Sequence, residues 1–225
     1  RKLVVKKFKE DVIMKTKYVK DNFIPIFIEI LFVLSCFIVE KQFYIYTNFC
    51  FYLLLGIYFY MRKDFSIKEW YNAIKSGKKF FVQVILTVVF LSVAFYFTIT
   101  LENIFPNFNK GIILLRADNW IKLVLLILST IIFPPIIEET FFRKNLISFK
   151  NNKILVFTTL LSMFLYALEH SLTLWGIFLC MIWALPFSIS YIKTKNIYVP
   201  MTAHLICNLI VNGITVFEVC KFLFN

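Results

Sequence analysis

Hydrophobic positions run through this chain in long, nearly unbroken blocks, and polar residues gather in short clusters between them. The blocks lack the strict alternation that marks a half-buried strand. Seven of them have about the 20 apolar residues that a helix needs to cross a bilayer. They cover residues 23–40, 43–61, 80–104, 121–147, 154–170, 172–192 and 198–222. The predicted fold class is all-α, a polytopic transmembrane bundle of about seven helices. No repeat or low-complexity linker divides it, so the expected organisation is a basic cytoplasmic or interfacial segment over 1–22, N-terminal transmembrane helices over 23–110 and a C-terminal core over 111–225.

Composition sharpens this picture. At 60% hydrophobic and 19% aromatic, with 28 Phe and 5 Gly, the chain is too apolar to cover itself as one soluble domain. The net charge of +12 raises nucleic acid as a partner, but the basic residues follow the connections instead. Of 25 Lys and Arg, 20 fall on alternate segments beginning with the N-terminal tail, as the positive-inside rule requires. The expected partner is the lipid bilayer and not nucleic acid, with the N-terminus cytoplasmic and the C-terminus outside. A bias toward Phe, Ile, Lys and Asn fits an AT-rich bacterial genome, hence a bacterial cell membrane. Oligomeric state is left open.

No cleavable signal peptide is expected, because the first apolar run is long, follows a basic tail and lacks a small-residue cleavage site. The tail reads either as a basic amphipathic segment on the anionic leaflet or as a solvated topogenic tail. The connection from Arg62 to Lys79 reads similarly, with Trp70 and Tyr71 as interfacial anchors. Cys36, Cys50, Cys180, Cys207 and Cys220 all fall in apolar segments without metal-ligand spacing, so buried free thiols are expected. The connection from Pro106 to Trp120 carries no sequon and no metal-like cluster.

Ionisable residues inside such helices are costly, and they mark functional sites by default. The fourth block contains Pro134 and Pro135 and then Glu138, Glu139 and Arg143. Two prolines remove backbone donors and predict a kinked or broken helix beside the carboxylates. Glu139 and Arg143 form an i,i+4 pair in the favourable order, which leaves Glu138 as the freer carboxylate and candidate general base. Tyr166 and His170 share a face at the end of the fifth block, and His204 and Asn208 share one early in the seventh. A neutral His204 with Asn208 would suit an oxyanion hole; as a purely structural pair they would join helices in lipid, and Asn212 suits either role.

Glu138-Glu139-x-x-x-Arg143, Tyr166-x-x-x-His170 and His204-x-x-x-Asn208, in that order on three helices, resemble the CPBP family of intramembrane proteases, also called the Abi family. That family includes type II CAAX prenyl endopeptidases and bacterial proteins linked to bacteriocin immunity and peptide processing. The motifs cover roughly residues 120–215, which makes 111–225 a CPBP-like catalytic core, and residues 1–110 add only topology to the match. Tyr166 stands where Phe is usual.

The resemblance implies peptide-bond hydrolysis in a membrane-recessed site on the cytoplasmic side. Glu138 with His170 would activate water, and His204 with Asn208 would stabilise the oxyanion. Glu139, Arg143 and Tyr166 would support the site. No cofactor is required on the preferred reading, although Glu138, His170 and His204 offer a set that zinc could use. The expected substrate is a membrane-associated peptide or protein, in bacteriocin or signal-peptide processing or in self-immunity. The alternatives are a non-catalytic immunity or scaffold protein, and a proton-coupled transporter using Glu29 with the Glu-His set. One conflict stands: His204 lies about 10 Å along its helix and His170 about 25 Å along its own. A shared site then requires tilted helices or an inward turn near 193–199.

Overall fold

A computed structural model describes the backbone of residues 2–224 and the side chains of residue 18 and residues 20–224. Most of the basic segment 1–22 therefore lies outside the described side chains. The elements are α1 (Lys2–Ile38), α2 (Tyr44–Arg62), α3 (Ile67–Lys75), α4 (Lys78–Ile104), α5 (Trp120–Ile127), α6 (Phe133–Glu138), α7 (Asn152–His170), α8 (Leu174–Thr194) and α9 (Tyr198–Phe224). Among the described residues the only β pairing is an isolated antiparallel bridge, Ile112 to Ser171.

Seven stretches are long and apolar enough to span a membrane: Lys20–Ile38, Lys41–Arg62, Lys78–Ile104, Trp120–Asn145, Asn152–His170, Leu174–Thr194 and Tyr198–Phe224. Each falls within a few residues of its predicted counterpart, because apolar runs of this length have no other satisfactory environment. The outer surface is apolar, with Phe23, Phe37, Tyr96, Phe157 and Phe217 among its exposed side chains. This is an integral, multi-pass membrane protein.

The fourth span is the broken one. Between α5 and α6 lies a π-helical turn, Leu128–Ile132, and after α6 a second, Glu139–Asn145. Such turns mark places where the regular ladder is disturbed, often at functional sites. Pro134 has no N–H, so the Thr130 carbonyl loses its helical partner, and Asn212 of α9 donates its Nδ2 to that carbonyl at 2.9 Å. Pro25 in α1 frees the Asp21 carbonyl in the same way, and it accepts from Tyr58 and Arg62, each at 3.0 Å. The interrupted span is surrounded by α2, α7, α8 and α9. Phe141, Phe142 and Leu146 on it are completely buried in the main core.

Its end is tied down by α1. Tyr18 donates to the Leu146 carbonyl at 2.5 Å and Asn22 to that of Asn145 at 3.2 Å. Burial pushes the Tyr18 hydroxyl above its ordinary pKa. The Arg62–Lys79 connection holds α3, capped by Ser66, whose side chain accepts from the Glu69 amide. Trp70 does not simply anchor at an interface: it turns inward and donates to Thr202 at 2.8 Å, while Tyr71 stays exposed. All five cysteines are free, but only Cys36 and Cys180 are fully buried, and Cys50 faces outward where lipid would cover it.

Candidate active site

Glu138 and Glu139 occupy the junction of α6 and the second π turn, where both are essentially inaccessible, as is Arg143. Successive helix positions diverge by about 100°, and the two carboxylates have different partners. The Tyr52 hydroxyl on α2 donates to Oε1 of Glu138 at 2.5 Å. Oε2 of Glu138 has no hydrogen bond among the described residues and stands 3.9 Å from Nε2 of His204.

Glu139 serves two partners at once. Its Oε1 is 3.4 Å from Nη1 of Arg143 and 2.9 Å from Nδ1 of His204. A carboxylate only accepts, so this contact puts the imidazole proton on Nδ1 and leaves a bare lone pair on Nε2. The expected neutral donor at His204 is thereby reversed: Nε2 accepts when the ring is neutral and donates only when the ring is a cation. Glu139 is accordingly more than the partner of Arg143.

Aromatic rings fix both histidines. Tyr166 stacks on His170 at 4.4 Å between centroids, and Phe187 stacks on His204 at 4.7 Å. Arg143 lies over both of those rings, 4.7 Å from Tyr166 and 5.2 Å from Phe187, a cation–π seat in a dry interior. It also donates to the Ala184 carbonyl at 3.3 Å. His170 directs Nδ1 to the Tyr166 carbonyl at 2.9 Å, which frees its Nε2.

One cavity of about 360 Å³ brings Glu138, Tyr166, His170, His204 and Asn208 to a common wall. Among the described residues the Asn208 amide has no hydrogen-bond partner, whereas Asn212 is committed to Thr130. The two histidines thus meet across a shared space, which resolves the conflict in their depths. The 193–199 turn does not reach it; Ile112–Leu115 of the α4–α5 connection do. That segment is held by Ile113 N–H donating to the His170 carbonyl at 2.9 Å and Leu172 N–H to that of Gly111 at 3.1 Å. The cavity therefore extends toward the Lys- and Arg-poor end of the bundle, away from the basic end where the family resemblance placed the site.

Sequence reasoning missed several groups here. Tyr52 and Asn48 come from α2, so residues 1–110 contribute to the wall and not to topology alone. Glu169, next to His170, also lines the cavity. Glu169 and Glu29 are buried, both lie within Coulombic reach of Glu138, and the Tyr52 hydroxyl that bonds Glu138 also stands near Glu169. Phe187 beneath His204 carried no sequence signal beyond an apolar position.

Among the described residues no group of three or more His, Cys, Asp or Glu side chains is arranged to hold a metal ion. As placed, Glu138, His170 and His204 do not form the zinc set that their residue types allow, with Tyr52 already on one Glu138 oxygen.

Residues 120–210 match the family model described as Type II CAAX prenyl endopeptidase Rce1-like. This is a family of proteases, consistent with the CPBP resemblance, and the matched stretch contains every motif residue from Glu138 to Asn208. No curated protein and no solved structure matches the chain.

Proposed function

We propose that this protein is an intramembrane endopeptidase that hydrolyses a peptide bond in a membrane-associated peptide or protein, with Glu138 as the base. The carrying observation is the unpaired Oε2 of Glu138, buried in the cavity wall and 3.9 Å from Nε2 of His204. A water roughly 2.8 Å from both atoms bridges them at an angle of about 90°. Glu138 takes one proton from that water as its oxygen bonds to the scissile carbonyl carbon. The resulting oxyanion is met by the Asn208 amide, unengaged among the described residues, and by His204 entering the cycle as a cation, with Nε2–H donating and Glu139 balancing the charge through Nδ1–H. Cleavage of the C–N bond returns the proton to the leaving amine, and water is consumed. His170, oriented by Tyr166, presents its free Nε2 to the same space.

The N-terminus is proposed to be cytoplasmic, in a bacterial membrane, with the biological role in peptide maturation or self-immunity. The test is cleavage of candidate membrane peptides by wild type and Glu138→Gln in matched detergent, with and without chelator. Cleavage by wild type alone, unaffected by chelator, is the expected result. Equal behaviour of wild type and variant removes Glu138 as the base, and loss on chelation moves the chemistry to a metal.

A further inference from the structure

The short helix α3 joins the ends of two spans, Arg62 and Lys78, and so lies by connectivity at the membrane surface. Its sequence has three faces. Trp70 and Ala73 turn toward the cluster built on Phe80, Tyr198 and Met201. At right angles to them, Ile67, Tyr71 and Ile74 form an i,i+4,i+7 stripe that is 74%, 54% and 37% exposed. Lys68 and Lys75 flank that stripe, with Lys63, Lys78 and Lys79 at the helix ends, all exposed.

Two acidic residues stand nearby, Asp64 in an ion pair and Glu69 on the helix face opposite the stripe. Asp64 pairs with Arg62 at 3.0 Å, its carbonyl accepts from Lys144, and Glu69 accepts from Tyr198. Among the described residues none of the five lysines forms an ion pair; Lys75 sits over the Tyr71 ring. An exposed apolar stripe bordered by uncompensated lysines is complementary to a bilayer surface bearing anionic headgroups.

The same helix grips the start of α9. Tyr198 donates to Glu69 at 2.8 Å, and Trp70 donates to Thr202 at 2.8 Å. His204 follows Thr202 by two residues. We propose that α3 is a seat for anionic phospholipid, and that lipid held there steadies the first turns of α9 and with them the position of His204. Lysines 68, 75, 78 and 79 take the phosphates, and Ile67, Tyr71 and Ile74 enter the headgroup boundary. The effect on turnover rests on the endopeptidase reading; the lipid seat does not.

The experiment uses the full chain, reconstituted in phosphatidylcholine vesicles with or without phosphatidylglycerol. Two readouts are taken: thermal unfolding and peptide cleavage. Wild type should unfold at higher temperature and cleave several-fold faster with phosphatidylglycerol. The variant Lys68→Gln/Lys75→Gln should lose both responses, its affinity for the anionic lipid falling about fivefold per lysine. Trp70→Phe, which keeps the ring and removes the bond to Thr202, should retain the thermal response and lose the rate response.

A thermal response unchanged in the double lysine variant overturns the lipid seat. A rate response unchanged in Trp70→Phe overturns the link to α9. If wild type cleaves nothing in either vesicle, the endopeptidase reading fails, and the thermal comparison still decides the seat.

Discussion

Nδ1 of His204 and Oε1 of Glu139 are 2.9 Å apart, joining two motif residues 65 positions apart in a bond that dictates the tautomer of the ring. Replacing Glu139 by Gln removes the charge that balances a cationic His204, so the ring stays neutral and, with the Gln carbonyl accepting from Nδ1, its Nε2 carries no proton for the oxyanion. It also strips Arg143 of its only carboxylate partner among the described residues. The expected result is a fall in kcat of about 10²- to 10³-fold, as loss of one oxyanion donor gives, together with a loss of about 3 kcal/mol in stability. Cleavage kinetics and thermal unfolding in the same detergent check both parts, and a variant with full activity would detach Glu139 from His204.

Tyr52 makes a separate case, since it lies outside the matched segment. Its hydroxyl is the one hydrogen-bond donor to Glu138 among the described residues. Tyr52→Phe retains the ring packed against Phe51 and Phe133 and removes that donor. A hydrogen bond to a charged group contributes about 1.5–3 kcal/mol, so kcat should fall at least about tenfold with KM little changed. An unaltered kcat would confine α2 to a packing role.

What the sequence revealed and what it concealed divide along a physical line. Seven spans are legible because each is a local property of some 20 consecutive residues. Glu138, Glu139, His170, His204 and Asn208 are legible as costly polar residues in apolar surroundings. Tyr52, Asn48 and Phe187 are not, since tyrosines, asparagines and phenylalanines of their kind recur throughout the chain and only a contact across many residues distinguishes these three. The bond between His204 and Glu139 is concealed for another reason. The i,i+4 spacing of Glu139 and Arg143 accounts for the carboxylate completely, and a second partner on a distant helix leaves no mark in either local pattern.

The wall contributed by Ile112–Leu115 depends on how closely two backbones approach. Gly176, in the first turn of α8, sits where an added Cβ would lie 1.7 Å from the Lys110 carbonyl oxygen and 2.1 Å from Oγ of Ser171. Ser171 also donates to that carbonyl at 2.6 Å, so neither atom yields without shifting the segment. Gly176→Ala should therefore cost about 2–3 kcal/mol and weaken cleavage by displacing the wall. Gly213 has nothing within 4 Å of the corresponding position, and Gly213→Ala should stabilise α9 by about 0.5–1 kcal/mol. Equal tolerance of the two substitutions, read by thermal unfolding, would contradict the close approach at Gly176.

Asn208 and Asn212 stand one turn apart on α9 and both line the cavity, so residue type alone assigns them the same role. Their partners separate them. The Asn212 amide fills the vacancy that Pro134 leaves at the Thr130 carbonyl, and its loss strands that acceptor in an apolar interior. Asn212→Ala should lower stability by about 1 kcal/mol and leave the catalytic rate nearly intact in the protein that remains folded. Asn208 has no bond to forfeit within the described residues, so Asn208→Ala should fold normally and reduce kcat by about 10²- to 10³-fold, as loss of one oxyanion donor does. The pair is measured best as kcat against unfolding temperature in one preparation. A fall in unfolding temperature alone for Asn212→Ala and in kcat alone for Asn208→Ala supports the division, and a rate loss confined to Asn212→Ala would exchange the roles.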